Sequence, residues 1–118
     1  SYNDFNLLVT QFPQSHYAPA AHQYMVYLRN VLADHELHVA EYYYNRGAYV
    51  AAADRASGLV AHYQGAPQTI DGLEIMAKSY HQLGLTQLEQ DTRTVIRYNY
   101  PNLPANFATD YSKRLEHD

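Results

Sequence analysis

Asp34, His35, His38 and Glu41 fall on successive turns of one helical stretch, and imidazole with carboxylate is a donor set that zinc or iron takes. The spacing permits a metal. However, the metalloprotease pattern HExxH is absent, and no second segment supplies clearly matching ligands. The polar face of a solvated helix gives the same letters, and His35 then reads as a polar break in an apolar stripe, held by a hydrogen bond. Nucleophilic hydrolysis has less support. No GxSxG occurs, and neither Ser57 nor Ser79 has a recognisable base near it in sequence, so both read as helix-packing residues. GxGxxG and GxxxxGK are also missing, which removes the usual phosphate cradles. The chain is therefore expected to bind rather than to catalyse, with no cofactor and no metal.

Composition narrows the partners. Eight Lys plus Arg against twelve Asp plus Glu leave a formal charge of −4. Such a surface has no basic field to gather nucleic acid or anionic lipid. Without cysteine there are no disulfides, zinc thiolates or thiol chemistry, a pattern compatible with cytoplasm or periplasm alike. No apolar run approaches the roughly 18 residues that span a bilayer, and Ser1-Tyr2-Asn3-Asp4 does not begin a signal peptide. Thirteen tyrosines against three Phe and no Trp supply broad packing surface with hydroxyls that must reach water or an acceptor. Such rings suit helix seams and protein interfaces.

The elements that must position these residues are helices. Leu73, Met76, Ala77, Tyr80 and Leu83 recur three or four apart, and strand alternation is nowhere sustained. Breaks at Pro13, Gly47, Gly65-Ala66-Pro67, Gly84 and Pro101 divide the chain into five helices joined by short turns, hence antiparallel neighbours. The first covers Tyr2 to Phe12, with Phe5, Leu8, Val9 and Phe12 as its stripe. That stripe starts so abruptly that the sequence reads as a piece cut from a longer protein, whose exposed Phe5, Leu8 and Phe12 would invite artificial pairing. The second runs from Pro19 to Arg46, with Tyr24, Leu28, Val31, Leu32, Val39, Ala40 and Tyr43 inward. The third, Tyr49 to Tyr63, turns Ala52, Ala53, Ala56, Val60 and Tyr63 inward, with Gly58 easing the approach of a neighbour. Thr69 is the expected cap of the fourth, and the fifth, Thr86 to Asn99, buries Leu88, Thr92, Val95 and Ile96. Tyr42, Tyr43 and Tyr44 cannot all face inward, so Tyr43 is assigned to the core and at least one other to the surface.

The hairpins repeat. Ala40-x-x-Tyr43-x-x-x-Gly47 returns as Ala77-x-x-Tyr80-x-x-x-Gly84, and Tyr63 returns as Tyr100, each 37 residues on, as from 40 to 77. Small Ala sits at a helix crossing, Tyr fills the seam, and Gly ends the first helix of each pair. The fold class expected is all-α: tetratricopeptide-like hairpins in a short right-handed solenoid over residues 1–100, followed by a loosely held or disordered tail, 101–118.

Val39-Ala40-Glu41-Tyr42-Tyr43-Tyr44-Asn45-Arg46-Gly47-Ala48-Tyr49-Val50-Ala51 resembles the BamD family of outer-membrane assembly lipoproteins, which carries a very similar run. The likeness extends through Phe12-Pro13-Gln14-Ser15-x-Tyr17 and Leu28-Arg29, and through Tyr63, Thr69 and Ala77-x-x-Tyr80-x-Gln82, but stops after Tyr100. It implies the C-terminal part of a five-repeat scaffold, tethered by a lipidated N-terminal cysteine to the periplasmic face of the outer membrane. It further implies docking on the membrane-proximal POTRA domain of BamA, with other accessory lipoproteins as further partners. By the same resemblance Arg55 matches a basic family position, and Arg46, Tyr49 and Asp54 flank it to complete a patch of aromatic and charged residues. Read as ordinary surface, Arg55 is a solvated arginine or pairs with Asp54 or Glu41, and Tyr49 is repeat packing. The rival within binding is capture of a linear peptide in the concave groove by Asn45 and Gln82. Edge docking of a folded domain, burying about 800 Å² per partner, asks less of a short array.

Overall fold

Gly47 stops the first long helix because it alone at that point takes φ +78 without a side-chain clash. A computed structural model of the chain describes residues 18–103. Within them lie α1 (Ala18–Asn45), α2 (Tyr49–His62), α3 (Thr69–Gln82) and α4 (Thr86–Asn99), and no strand. These match the second to fifth expected helices to within a residue or two. The helix expected over Tyr2–Phe12 and most of the tail lie outside the described residues.

The repeat is visible in the backbone itself. Ala48 N donates to Tyr43 O at 2.9 Å, and Leu85 N to Tyr80 O at 2.9 Å. Gly47 N reaches Tyr44 O at 3.0 Å, as Gly84 N reaches His81 O at 3.1 Å. Both glycines have positive φ, +78 and +73, and each satisfies carbonyls that the ending helix leaves without partners. The second helices end alike, with Tyr63 at φ −125, ψ 45 and Tyr100 at φ −134, ψ 62.

Each helix packs on the next, and α1 also touches α3, the adjacency of stacked hairpins. The core joins Ala33, Leu37 and Ala40 of α1, Ala52, Ala56 and Leu59 of α2, Ala66 of the turn and Ile75 of α3. Alanine dominates this list, so backbones approach closely, and Tyr43, Tyr44, Tyr63, Val60 and Met76 fill the seams around it. Tyr42 is the exposed ring of its triplet, at 53%.

Several inward assignments are corrected. In α1, Tyr24 and Val31 are exposed, while Met25, Ala33 and Leu37 are buried with Ala40. Apolar residues cover so wide an arc of α1 that periodicity alone leaves its phase open, and the small Ala33 marks the true crossing. In α2, Leu59 is fully buried and Val60 only half-buried. In α4, Thr92 and Ile96 are buried but Leu88 and Val95 are exposed, because α3 covers one flank of that arc. Leu83 is exposed too.

Gly58 eases no approach, since a Cβ there would meet nothing nearer than His62 Nδ1 at 3.9 Å. The close crossing is at Gly72, where a Cβ would collide with Leu59 Cδ2 and press on Val60 Cγ2 at 3.3 Å. Thr69 is not a cap: it is the first residue of α3, Gln68 precedes it without a side-chain cap, and Thr69 Oγ1 donates to Tyr63 O at 3.2 Å. The hydroxyl ties the α2–α3 turn together instead.

Candidate functional site

The α1–α2 turn sets the predicted binding residues in place. Arg46 follows the last residue of α1, and its guanidinium carbon lies 4.4 Å from the centroid of the Tyr42 ring, four residues back. Such a cation–π contact is worth about 0.5–1 kcal/mol when exposed. Tyr42 meets Tyr43 edge-on at 5.5 Å, and Tyr49, the first residue of α2, meets Tyr44 edge-on at 5.4 Å. Tyr49 is half-buried, so it presents one side of the ring outward and packs with the other.

Since α2 turns Ala52, Ala53, Ala56 and Leu59 inward, Asp54 and Arg55 stand on its outer side, both exposed. Arg55 Nη1 lies 3.7 Å from Glu36 Oε2 on α1, with side chains 48% and 26% exposed. That distance is too long for a hydrogen bond and makes a loose ion pair. The pairing expected with Asp54 or Glu41 is corrected to Glu36, a residue that no local spacing singles out.

Two shallow depressions meet at Asp54. One is lined with Glu36, Arg55, Ser57, Gly58 and His62, among others, and the other with Tyr49, Val50, Ala51 and Leu83 beside the Gly47–Ala48 turn. The structure thus joins Asp54 to Arg55 on one side and to Tyr49 on the other, whereas Arg46 lines neither. Val50, 69% exposed, and Leu83 add an apolar element that the sequence reading missed. Their exposure follows from the phase of α2 and from the turn after α3, which no spacing gives. The sequence reading did not name the Tyr42–Arg46 stack, although a four-residue separation, which brings two side chains together on one helix face, was the signal for it. Guanidinium, carboxylate, aromatic ring and exposed aliphatic side chain together make a surface of the kind that holds proteins.

The other candidates separate. His38 Nδ1 lies 3.4 Å from Asp34 Oδ2 on an open surface, and His35 is exposed, not a break in the core. Among the described residues no three His, Asp or Glu side chains gather into a metal-holding group. Ser79 is fully buried, but Ser57 is exposed, so the packing role expected of both holds for Ser79 alone. Asn45 and Gln82 are both exposed.

Another polar cluster lies between α3 and α4. Arg93 Nη1 donates to Glu74 Oε1 at 3.3 Å, Arg93 Nε donates to Glu89 Oε2 at 3.0 Å, and His81 Nδ1 lies 3.1 Å from Glu89 Oε1. The bond from Arg93, helped by His81, holds the Glu89 carboxyl below the usual carboxylate range against the opposing effect of its burial.

The family of YfiO, described as an outer membrane lipoprotein, matches residues 1–96. The outer membrane protein assembly factor BamD of Neisseria meningitidis serogroup A is 42% identical over 104 residues, covering 88% of this chain and 39% of the relative. BamD of Haemophilus influenzae is 38% identical over 99 residues, covering 84% and 38%, and that of Vibrio cholerae 34% over 99, covering 84% and 41%. The chain spans about two fifths of the length of these curated relatives. With the match extending over most of its length, the chain belongs to the YfiO family of outer membrane lipoproteins.

Proposed function

We propose that this chain is the C-terminal part of a non-catalytic scaffold for outer-membrane β-barrel protein assembly. In this reading it docks on the membrane-proximal POTRA domain of BamA through Arg55, Asp54 and Tyr49, with Arg46 at the edge. It needs no cofactor, and other accessory lipoproteins of the assembly machinery are further partners. The full protein would be held at the periplasmic face of the outer membrane by a lipid on an N-terminal cysteine. No described helix is long and apolar enough to cross a membrane.

The observation that carries the proposal is the exposed guanidinium of Arg55, which among the described residues makes a loose 3.7 Å ion pair with Glu36 and is set beside Asp54. An arginine so loosely engaged can exchange its partner for a carboxylate on a docking domain, where its planar fork accepts bidentate pairing. Val50 and the outward side of Tyr49 supply the apolar contact that such a charge pair needs around it.

Calorimetric titration with the isolated POTRA domain of the cognate BamA tests this. Saturable binding should weaken at least tenfold with Arg55→Glu, a change of about 1.4 kcal/mol. Absence of binding by the folded chain would overturn the docking assignment, as would a linear peptide that binds as tightly as the folded domain. Stoichiometric zinc uptake in the same instrument would instead favour the Asp34, His35, His38 and Glu41 face.

A further inference from the structure

α4 is held to the array by means unlike those of its neighbours. α2 buries Ala52, Ala53, Ala56 and Leu59, and α3 buries Leu73, Ile75 and Ala77 among others, but α4 buries only Thr92 and Ile96. The Thr92 hydroxyl donates to Leu88 O of its own helix at 2.7 Å, so its proton does not cross the seam. Ile96 is then the apolar side chain that α4 encloses, while Leu88, Val95 and Tyr98 are exposed.

What joins α4 to α3 instead is ionic. Arg93 reaches Glu74 at 3.3 Å and Glu89 at 3.0 Å, and His81, in the last turn of α3, lies 3.1 Å from Glu89 across the Gly84 turn. Enclosing the Glu74 carboxylate cancels much of what its pairing with Arg93 supplies. Arg93 and His81 are themselves partly open to water, so salt ions reach the cluster and screen it. The apolar and the ionic hold on α4 are therefore both weak. Gly84, at φ +73, sets between the two helices a turn that serves as a pivot. The seam on the other side of α3 is tighter. Gly72 admits Leu59 and Val60 of α2 so closely that a Cβ there would collide. Ser79 lies seven residues on, within about 20° of Gly72 around the helix, and is fully buried in that same seam.

We propose that α4 is a conformational latch: it swings away from α3 about the Gly84 turn while α1, α2 and α3 stay packed, and the Arg93–Glu74–Glu89–His81 cluster keeps it closed. Opening frees the Glu74 carboxylate and the flank of α3 that α4 covers. It is a local unfolding, lower in free energy than unfolding of the whole array, because few apolar side chains leave their contacts. Leu83 of the same turn lines the depression beside Asp54, so the pivot adjoins the surface proposed for docking.

The chain has no cysteine, so a single introduced thiol reports on a single seam. In the full chain, Thr92→Cys probes the α3–α4 seam and Ser79→Cys the α2–α3 seam; the Ser79 hydroxyl has no hydrogen bond to lose. Under native conditions N-ethylmaleimide, a neutral reagent, should modify Thr92→Cys about a hundredfold faster than Ser79→Cys. Raising sodium chloride to about 1 M, which shortens the screening length to about 3 Å, should speed the Thr92→Cys reaction about threefold. Equal rates at the two thiols would overturn the proposal, since both seams would then open only with the whole array. A Thr92→Cys rate that salt leaves unchanged would remove the ionic cluster from its role. Hydrogen exchange of the unsubstituted chain gives the same comparison without a new side chain. Amides of α4 should exchange about tenfold faster than those of α3, with a shallower dependence on urea, and a shared urea dependence would sink the idea.

Discussion

Arg93 Nη1 stands 3.3 Å from Oε1 of Glu74, a carboxylate only 2% exposed, so one guanidinium from α4 neutralises a charge enclosed in α3. In the preceding hairpin, the positions equivalent to Glu74, Glu89 and Arg93 are the buried Leu37, Ala52 and Ala56. The second hairpin has an ionic cluster where the first has an apolar seam. Arg93→Ala strands the Glu74 carboxylate, and because Arg93 is itself 31% exposed the expected loss is near the low end for a broken buried pair, about 3 kcal/mol. Glu74→Leu with Arg93→Met should recover at least half of that loss. Urea unfolding followed by circular dichroism measures both, and equal losses would refute the account.

Gly72 and Gly58 should respond in opposite directions to alanine. At Gly72 the added methyl meets Leu59 and Val60 in a filled seam, and overpacking of this kind costs about 1–3 kcal/mol. At Gly58 it meets only the His62 side chain at an ordinary contact distance of 3.9 Å, and there alanine stabilises the helix by about 0.5–1 kcal/mol. Thermal melts of the two single variants check the signs.

Glu89 makes the α3–α4 contact sensitive to acid. Its carboxyl is held below the usual range chiefly by the Arg93 hydrogen bond, so the unfolded chain takes up a proton there more readily than the folded one. The stabilisation is complete above the ordinary carboxylate pKa and is lost as pH falls through the lowered folded value. Glu89→Gln should therefore be less stable near neutrality and show a shallower loss on acidification. Denaturation midpoints from pH 6 to 3, compared between the two chains, give the difference, and parallel curves would exclude this role.

Glu36→Gln removes the carboxylate that lies 3.7 Å from Arg55, yet the pair is long and partly exposed. The expected stability change is under about 0.5 kcal/mol. In the POTRA titration this substitution should leave binding intact or strengthen it, because Arg55 is released, in contrast to Arg55→Glu. Weakened binding by Glu36→Gln would mean that the Glu36–Arg55 pair is itself part of the docking surface.

Much of the architecture is local and therefore legible in the sequence. Gly47, Gly84 and Pro101 end helices through backbone sterics that need no distant partner, so α1 to α4 begin and end within a residue or two of where the sequence places them. The 37-residue repeat is local in the same sense, since Gly47 and Gly84 close the same turn with the same bonds. The Arg46–Tyr42 stack was not named from the sequence, although its four-residue spacing is the kind of signal that finds such a pair.

What only the tertiary structure decided is which neighbour covers which flank. Leu88 and Val95 read as core because they are apolar at helical spacing, and they are exposed because α3 reaches only the Thr92–Ile96 side. Gly58 and Gly72 look alike as letters, but only Gly72 lies where Leu59 and Val60 cross it. Glu36 meets Arg55 across two helices whose relative rotation no short-range pattern encodes. Sequence periodicity specifies which residues share a helix face, whereas burial depends on the rotation and crossing of whole helices, which the summed packing of Ala33, Ala40, Ala52, Ala56 and Leu59 sets.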